Sequence, residues 1–541
     1  MSNNKIKNIL KELNFNNEKQ AVNALKKTVI SNIKRNDFKS ADYFIDKLLI
    51  LDSNDYENIR DKAYICYNLN NFENSKDFIE KALRINKKDV FGLNIYALIK
   101  MSNKNYSEAI LILEDCIKLN SSYIDSYNNL GTCFFEIENI TDAFKNFKKA
   151  YKINKNNINA LINIGNILSL NDKYSQAINF FKKVLNINPN NINVLTNIAI
   201  CYCRQKDIVN AERIFKKLKE ISSNSHELNY IYSTALLNLG YFDKAWPLFE
   251  SRLHLKNRQR HVKDYGILNK TKSTSQINLK SDKILILREQ GIGEEILFSS
   301  LYKNILDFND NVIIESDKRL VNTFKRSFKK NIFYEDGYFS SQISNLEKFD
   351  KIIFAGSLCQ YFIKNKESFS KKRYLFPDSE MKKKFKKYFS DNNKAKIGLS
   401  WKSKISVYGS LKSLKLSYFE PLFTSNRELF SLQYGDIEEE KNLMNENKNK
   451  LKFFDNVDLF NDLESLMGIL SNLDVFVTVS NSTAHISAAL GVKTIIICPK
   501  KSSTYFYWNS MEKKSFWYEN VIVLTLDGSI ANTIKRIDQI I

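Results

Sequence analysis

Small side chains recur every 34 residues through the first half of the chain, at Ala41, Ser75, Ala109, Ala143, Ala177, Ala211 and Ala245. Twelve residues before each stand Val29, Ala63, Ala97, Gly131, Gly165, Ala199 and Ser233, mostly small as well. Four residues after each stand Ile45, Ile79, Leu113, Phe147, Phe181, Phe215 and Phe249, all large and apolar. Two helices approach closely only where side chains are small, and large apolar residues then fill the groove alongside. One helix pair cannot bury its own apolar face, so such a unit is stable only in a stack. The phase therefore predicts a solenoid of helix pairs, and it excludes a first half built around a single globular core.

Asn-rich punctuation separates the units, as in Asn186-Ile187-Asn188-Pro189-Asn190. The length, phase and residue types resemble the tetratricopeptide repeat. Seven units match over about 22–252, the third to sixth most closely. The resemblance implies an α-helical solenoid over 1–252, with a concave face for peptides or partner domains. No side chain on it is singled out, because an exposed Asn or Tyr there is ordinarily a solvated one.

After a basic connector, 253–280, the period changes. Residues 283–287 form a short continuous apolar run, read as a buried strand. Further runs stand at 312–314, 352–355, 397–401, 429–432, 475–479 and 494–497, with helical patterns between them. Such alternation indicates parallel sheets covered by helices. A polar, basic stretch at 364–394, with Pro377 and a helix over 381–389, divides the runs into two series. The expectation is two Rossmann-like lobes, 281–375 and 394–541, joined by a linker at 376–393. Ligands of such sheets sit at the carboxyl ends of the strands.

Three loops at those ends carry candidate chemistry. The first is Gln290-Gly291-Ile292-Gly293-Glu294-Glu295. Gly291 and Gly293 allow close approach of backbone to a ligand, and a helix N-terminus follows. Glu294 or Glu295 can serve there as a general base, or simply favour the helix dipole. The second loop holds Trp401-Lys402-Ser403-Lys404, with Lys412-Ser413 after it, and its lysines suit an anionic ligand. The third, Ser480-Asn481-Ser482-Thr483-Ala484-His485, offers natural N-caps or, alternatively, hydroxyls and N–H groups for a phosphate.

These loops carry a second resemblance. Ser-Asn-Ser-Thr-Ala-His-Ile-Ser-Ala-Ala-Leu-Gly-Val-Lys-Thr, from Ser480, is similar to the C-terminal motif of family 9 glycosyltransferases, the heptosyltransferase-like group. Gly-Leu-Ser-Trp-Lys from Gly398, Lys-Ser-Leu from Lys412 and Ser-Leu-Gln-Tyr-Gly-Asp from Ser431 resemble its preceding motifs. The match runs in order over 281–541. It implies a two-lobed GT-B fold and metal-independent transfer from a nucleotide-sugar, with no further cofactor. On that resemblance Lys412, beside Ser413, contacts a donor phosphate, and Asn481, Ser482, Thr483 and His485 line the diphosphate. Trp401, Lys402 and Gln433 shape the pocket, and Glu294 stands where the family carries an aspartate base. A further departure is Ser480, where the family carries an acid. The repeats would then present a protein or glycan acceptor. The alternative is a non-catalytic scaffold that keeps the lobes as an interaction module.

The formal net charge of +22 invites a nucleic-acid partner. However, residues 251–280 alone hold eight basic and one acidic side chain, and the remaining excess is spread thinly. The chain is rich in Lys, Asn and Ile, which AT-rich codons explain. Nucleic acid is therefore not the expected partner, whereas the 251–280 stretch is a candidate for contact with an anionic membrane surface. Seven scattered cysteines without a C-x-x-C pair, no signal-like apolar segment and no apolar run of membrane-spanning length lead to the expectation of a cytoplasmic protein, peripheral to the inner face of the membrane if the basic stretch binds there.

Overall fold

A computed structural model describes residues 2–222, 225–255, 277–288, 291–341, 343–389, 393–403, 412–443, 451–499, 505–508, 515–526 and 530–541. The chain divides into two compact units, one of residues 1–168 with 176–189, the other of 169–175 with 190–541.

The first unit is helical throughout. After a helix at Ser2–Glu12 come antiparallel pairs, Glu18–Lys34 with Phe38–Leu51, Tyr56–Asn68 with Phe72–Ile85, Val90–Ser102 with Tyr106–Leu119, and Ile124–Glu136 with Ile140–Ile153. Helices Ile158–Leu170 and Tyr174–Ile187 repeat the pattern. The 34-residue positions are the inter-helix contacts, and Ala41, Ser75, Ala109, Ala143 and Ala177 are fully buried. The partnership of small and large is literal. A Cβ added at Gly131 would meet the Phe147 ring at 2.6 Å, and one at Gly165 would collide with the Phe181 ring. Ser75, the polar member of the series, hides its hydroxyl by donating to the Ala63 carbonyl at 2.7 Å.

A further periodic position lies in the turn inside each pair. Asn36, Asn70, Lys104, Glu138, Asp172, Lys206 and Gly240, again 34 apart, all adopt the left-handed conformation. That conformation costs a non-glycine residue about 1–2 kcal/mol. The next residue offsets it by capping the second helix: Asp37, Asn71, Asn105, Asn139 and Asp207 each accept an N–H three residues on. The Asn-rich composition between helices is thus turn and cap chemistry.

The second unit begins with two more pairs, Ile192–Arg204 with Ile208–Ile221 and His226–Leu239 with Phe242–Phe249. Two parallel sheets follow. The first has strands β1 (Ile284–Leu287), β2 (Val312–Ser316), β3 (Phe333–Glu335) and β4 (Lys351–Phe354), in the order β3-β2-β1-β4. The second has β5 (Ala395–Ser400), β6 (Arg427–Ser431), β7 (Leu451–Lys452), β8 (Val475–Val479), β9 (Lys493–Cys498) and β10 (Val521–Thr525), in the order β10-β9-β8-β5-β6-β7. In both, the direction of winding reverses beside the first strand, between β1 and β4 and between β5 and β8. Such switch points open a crevice at the carboxyl ends of the strands. The short strands β3 and β7, and the five-residue β10, escaped the sequence reading.

The last helix pair shares a core with the sheets. Trp246 packs edge-on against Phe506 and Trp517, and Phe242 against Phe369 and Phe516. The end of the expected solenoid, just before the connector, is tied to the sheet region as well. Glu250–His254 is a 3-10 turn, and the Arg252 guanidinium is buried, bonded to Glu250 at 2.6 Å and to the Ser357 hydroxyl at 3.2 Å. The rest of the basic stretch, 256–276, lies outside the described residues, and the proposed membrane contact with it. The linker helix is Ser379–Lys386, capped by Asp378, and so starts earlier and ends earlier than 381–389. It packs on helix Leu463–Leu470 through Gly468, where a Cβ would meet Met381 backbone at 2.9 Å. All seven cysteines are buried, and none is in a disulfide. No helix among the described residues is long and apolar enough to cross a membrane.

Candidate functional site

A cleft of about 280 Å³ opens where a strand–helix turn of each sheet meets the other. Gly291, Gly293 and Glu294 line it from the turn after β1. Ser480, Asn481, Ser482 and His485 line it from the turn after β8, with Lys412 beside them. Eight of the residues singled out from the sequence therefore converge on one cavity. Gly293 is needed for the approach of the two turns: a Cβ there would come within 3.0 Å of His485 Cδ2 and 3.6 Å of Ser482 Cα. Glu294, in the first turn of helix Ile292–Ser299, is half-buried at the cleft.

Lys412 is the electrostatic focus. Its side chain is 3% exposed, and among the described residues its Nζ has no hydrogen-bond partner. The ammonium lies 4.0 Å over the Tyr505 ring. A cation–π contact stabilises an ammonium but leaves its three donors unused. Burying unused donors is costly, so the arrangement is suited to an incoming anion. Helix Ser482–Ala489 starts at the same cleft with no acidic residue in its first turn. Its uncompensated dipole adds to the attraction.

Several residues read from the sequence as ligand contacts also hold the site together, or lie off the cleft wall. Asn481 is the N-cap: its Oδ1 accepts from Ala484 N–H at 3.0 Å, and its Nδ2 donates to Ser400 Oγ at 2.9 Å and Thr478 Oγ1 at 3.2 Å. Ser400 Oγ in turn donates to Gln433 Oε1 at 3.0 Å, which also accepts from the Trp401 and Lys402 N–H groups. Asn481 and Gln433 thus belong to one chain of hydrogen bonds that pins the ends of β8, β5 and β6 together. Trp401 is fully buried in the apolar core on that sheet. Lys402 pairs with Glu440 and is not on the cleft wall. Thr483 is buried behind the helix start, away from the cleft wall. Ser413 accepts from Ser403 N–H at 3.0 Å and so ties down the segment that delivers Lys412.

Glu295 also departs from the expectation of a second base. It is fully buried, its Oε1 accepts from Asp317 N–H at 2.9 Å, and Arg288 Nε lies 3.5 Å from its Oε2. Burial pushes its carboxyl up to about 8 despite the opposing pull of Arg288. The carboxyl faces the end of β2, so its work is to fasten that strand end to the helix.

The aromatic wall was not anticipated. Tyr505 and Tyr507 line the cleft and stack on each other at 5.1 Å. Trp508 stacks on the His485 ring at 4.3 Å and donates Nε1–H to Ser480 Oγ at 2.9 Å. The signal was the density of aromatic residues in Tyr505-Phe506-Tyr507-Trp508 and Phe516-Trp517-Tyr518. Stacked tyrosines at a cleft suit a flat ring or a sugar face.

Comparison with known proteins bears mainly on the helical half. Family models described as tetratricopeptide repeat match residues 158–191, 61–89 and 124–157. The chain thus carries tetratricopeptide repeats, a scaffold that generally binds peptide or protein partners. It is similar to Protein FlbA of Caulobacter vibrioides, with 25% identity over 314 residues, covering 54% of this chain and 51% of FlbA. The chain therefore spans about half the length of that curated relative. Among solved structures it is similar to pilF of Pseudomonas aeruginosa, at 18% identity and a TM-score of 0.35, covering 40% of this chain and 98% of pilF. It is also similar to YrrB, a tetratricopeptide protein with an unusual peptide-binding site, at 20% identity and a TM-score of 0.28, covering 34% of this chain and 94% of YrrB.

Proposed function

We propose that the chain is a GT-B-type glycosyltransferase of the family 9 kind, moving a sugar from a nucleotide-diphospho-sugar to a hydroxyl acceptor recruited by the repeats. The observation that carries the reading is Lys412, a buried ammonium without a hydrogen-bond partner among the described residues, at the mouth of an uncompensated helix N-terminus. The diphosphate lies against Lys412 and the helix start at Ser482. Tyr505 and Tyr507 supply a stacking wall. In the transfer, the acceptor oxygen bonds the sugar's anomeric carbon as the bond from that carbon to the phosphate oxygen breaks. The hydroxyl proton passes to the Glu294 carboxylate, and the nucleoside diphosphate leaves with the bonding pair. Glu294 is the base of choice because it lines the cleft, whereas Glu295 does not. The acceptor is a protein or glycan held by the concave face of the repeats.

A thermal-shift screen of the purified chain against UDP-, GDP- and ADP-sugars tests this. Stabilisation by at least one, lost in Lys412→Ala, is the expected result, and a folded chain that responds to none overturns it. A scaffold without catalysis is the second reading, favoured by Ser480. Its hydroxyl, where the family carries an acid, is occupied by Trp508. Hydrolysis of a bound nucleotide-sugar that disappears in Glu294→Gln decides for the enzyme.

A further inference from the structure

His485 lines the cleft, yet its ring is tied to the buried Tyr518 and through it to the half-buried Tyr374. Its Nδ1 lies 3.1 Å from the Tyr518 hydroxyl, which lies 3.3 Å from the Tyr374 hydroxyl. Tyr374 donates to the Ile296 carbonyl at 2.7 Å. Ile296 belongs to helix Ile292–Ser299 of the opposite wall, so this chain joins the two walls behind the cleft. Burial pushes His485 down to about 3, which leaves a neutral ring with one N–H and one lone pair.

Proton counting decides which nitrogen is which. Each phenol has a single proton. That of Tyr374 goes to Ile296. The contact between the two phenols can then hold only the Tyr518 proton. With its proton so placed, the Tyr518 oxygen can only accept from His485, and Nδ1 must carry the hydrogen. Nε2 keeps the lone pair and is the one polar atom the ring has left for the cleft. Gly293 leaves the neighbouring ring edge uncovered, since any Cβ there would sit 3.0 Å from Cδ2.

We propose that His485 presents an acceptor nitrogen to the cleft and takes a hydroxyl of the bound sugar, with Tyr518 and Tyr374 as the positioning residues that set its tautomer. The ligand assignment rests on the nucleotide-sugar reading, whereas the tautomer does not. A phosphoryl oxygen is itself an acceptor and finds no donor at this nitrogen. The diphosphate is left to Lys412 and the helix start, and His485 moves from the phosphate side, where the family resemblance puts it, to the sugar side.

The tautomer is read from a two-bond nitrogen–proton spectrum of the full chain labelled with ¹⁵N-histidine, with the His485 signals assigned by their loss in His485→Gln. The wild type should show the hydrogen on Nδ1. In Tyr374→Phe the Tyr518 proton loses its acceptor and turns to Nδ1, so the histidine hydrogen should move to Nε2. A wild-type hydrogen on Nε2, or a tautomer unmoved in Tyr374→Phe, overturns the relay. The ligand half uses thermal-shift titration with UDP and UDP-N-acetylglucosamine, GDP and GDP-mannose, and ADP and ADP-glucose. His485→Phe, which keeps a ring and removes both nitrogens, should bind the preferred conjugate about fivefold more weakly, the effect of one hydrogen bond, while its response to the bare diphosphate stays at the wild-type level. Equal weakening of both overturns the hydroxyl role. A wild type that answers to no pair overturns the donor reading and the sugar assignment with it, and leaves the tautomer to the spectrum.

Discussion

Two helices begin at the same cleft after the same kind of strand turn, and their first turns are opposites. Helix Ile292–Ser299 has Gly291 at its N-cap, no side-chain cap, and Glu294 and Glu295 in its first turn. Helix Ser482–Ala489 has Asn481 as a bonded cap and no acid. In the first, Glu294 answers the helix dipole and faces the cleft, while Glu295 is buried with its carboxyl pushed up to about 8. In the second, the cap satisfies a single N–H, and the dipole stays open toward Lys412. One wall therefore carries a carboxyl group at the cleft and the other a buried ammonium beside an open helix start. A transfer from a phosphate to a hydroxyl needs that division, which two like walls would not provide.

Four substitutions break or sharpen this contrast. Glu294→Gln removes the proton acceptor from the acidic wall. Transfer should fall by about 10²–10⁴-fold with donor-induced stabilisation unchanged, as seen by product formation beside thermal shift. Lys412→Ala strips the anionic wall's counter-charge, and donor affinity should drop roughly tenfold to a hundredfold in a binding titration, the worth of a charged hydrogen bond.

Glu295→Gln separates the two acids of one helix. The folded carboxyl titrates near 8 and the unfolded one near 4.5, so the native state holds the extra proton between these values. Stability from this group is then present below about pH 4.5 and is lost as pH rises toward 8. The glutamine variant should flatten that fall in urea-unfolding midpoints between pH 5 and 9 and should leave transfer intact. A loss of transfer equal to that of Glu294→Gln would erase the distinction between the acids. The smallest effect is expected from Gly293→Ala, which asks His485 to give by a few tenths of an ångström. Donor affinity should fall within about tenfold while the unfolding midpoint barely changes. A large loss of stability would mean that the two turns are locked together and not merely apposed.

The legibility of the chain follows the range of the interactions. Ala143 and Phe147 lie four residues apart on one helix, and Gly131 lies twelve residues before Ala143 in the same repeat, so the packing rule is written locally and many times over. The strand runs were legible for the same reason, except β3 and β7, which span only three and two residues, and β10, whose five residues are no shorter than strands that were read. The site was legible only in part. Gly291, Gly293, Glu294, Lys412, Ser482 and His485 meet where the loop reading put them. Asn481 and Gln433 looked like ligand residues because a polar side chain at a strand end serves equally as a cap or a contact. Only its partners separate the two, and those partners are up to 81 residues away, as for Asn481 and Ser400.

The sequence by itself determined the solenoid, the alternation of strand and helix and the set of loops at the strand ends, since each rests on periodicities of a few residues or on one repeated phase. Tertiary structure alone decided that the last helix pair joins the core of the sheets, that Glu295 is a buried fastener while Glu294 faces the cleft, that Lys412 Nζ has no hydrogen-bond partner among the described residues, and that two tyrosines from distant segments stand behind His485. Burial and hydrogen-bond partnership set those roles, and both depend on which segments fold against one another across the chain.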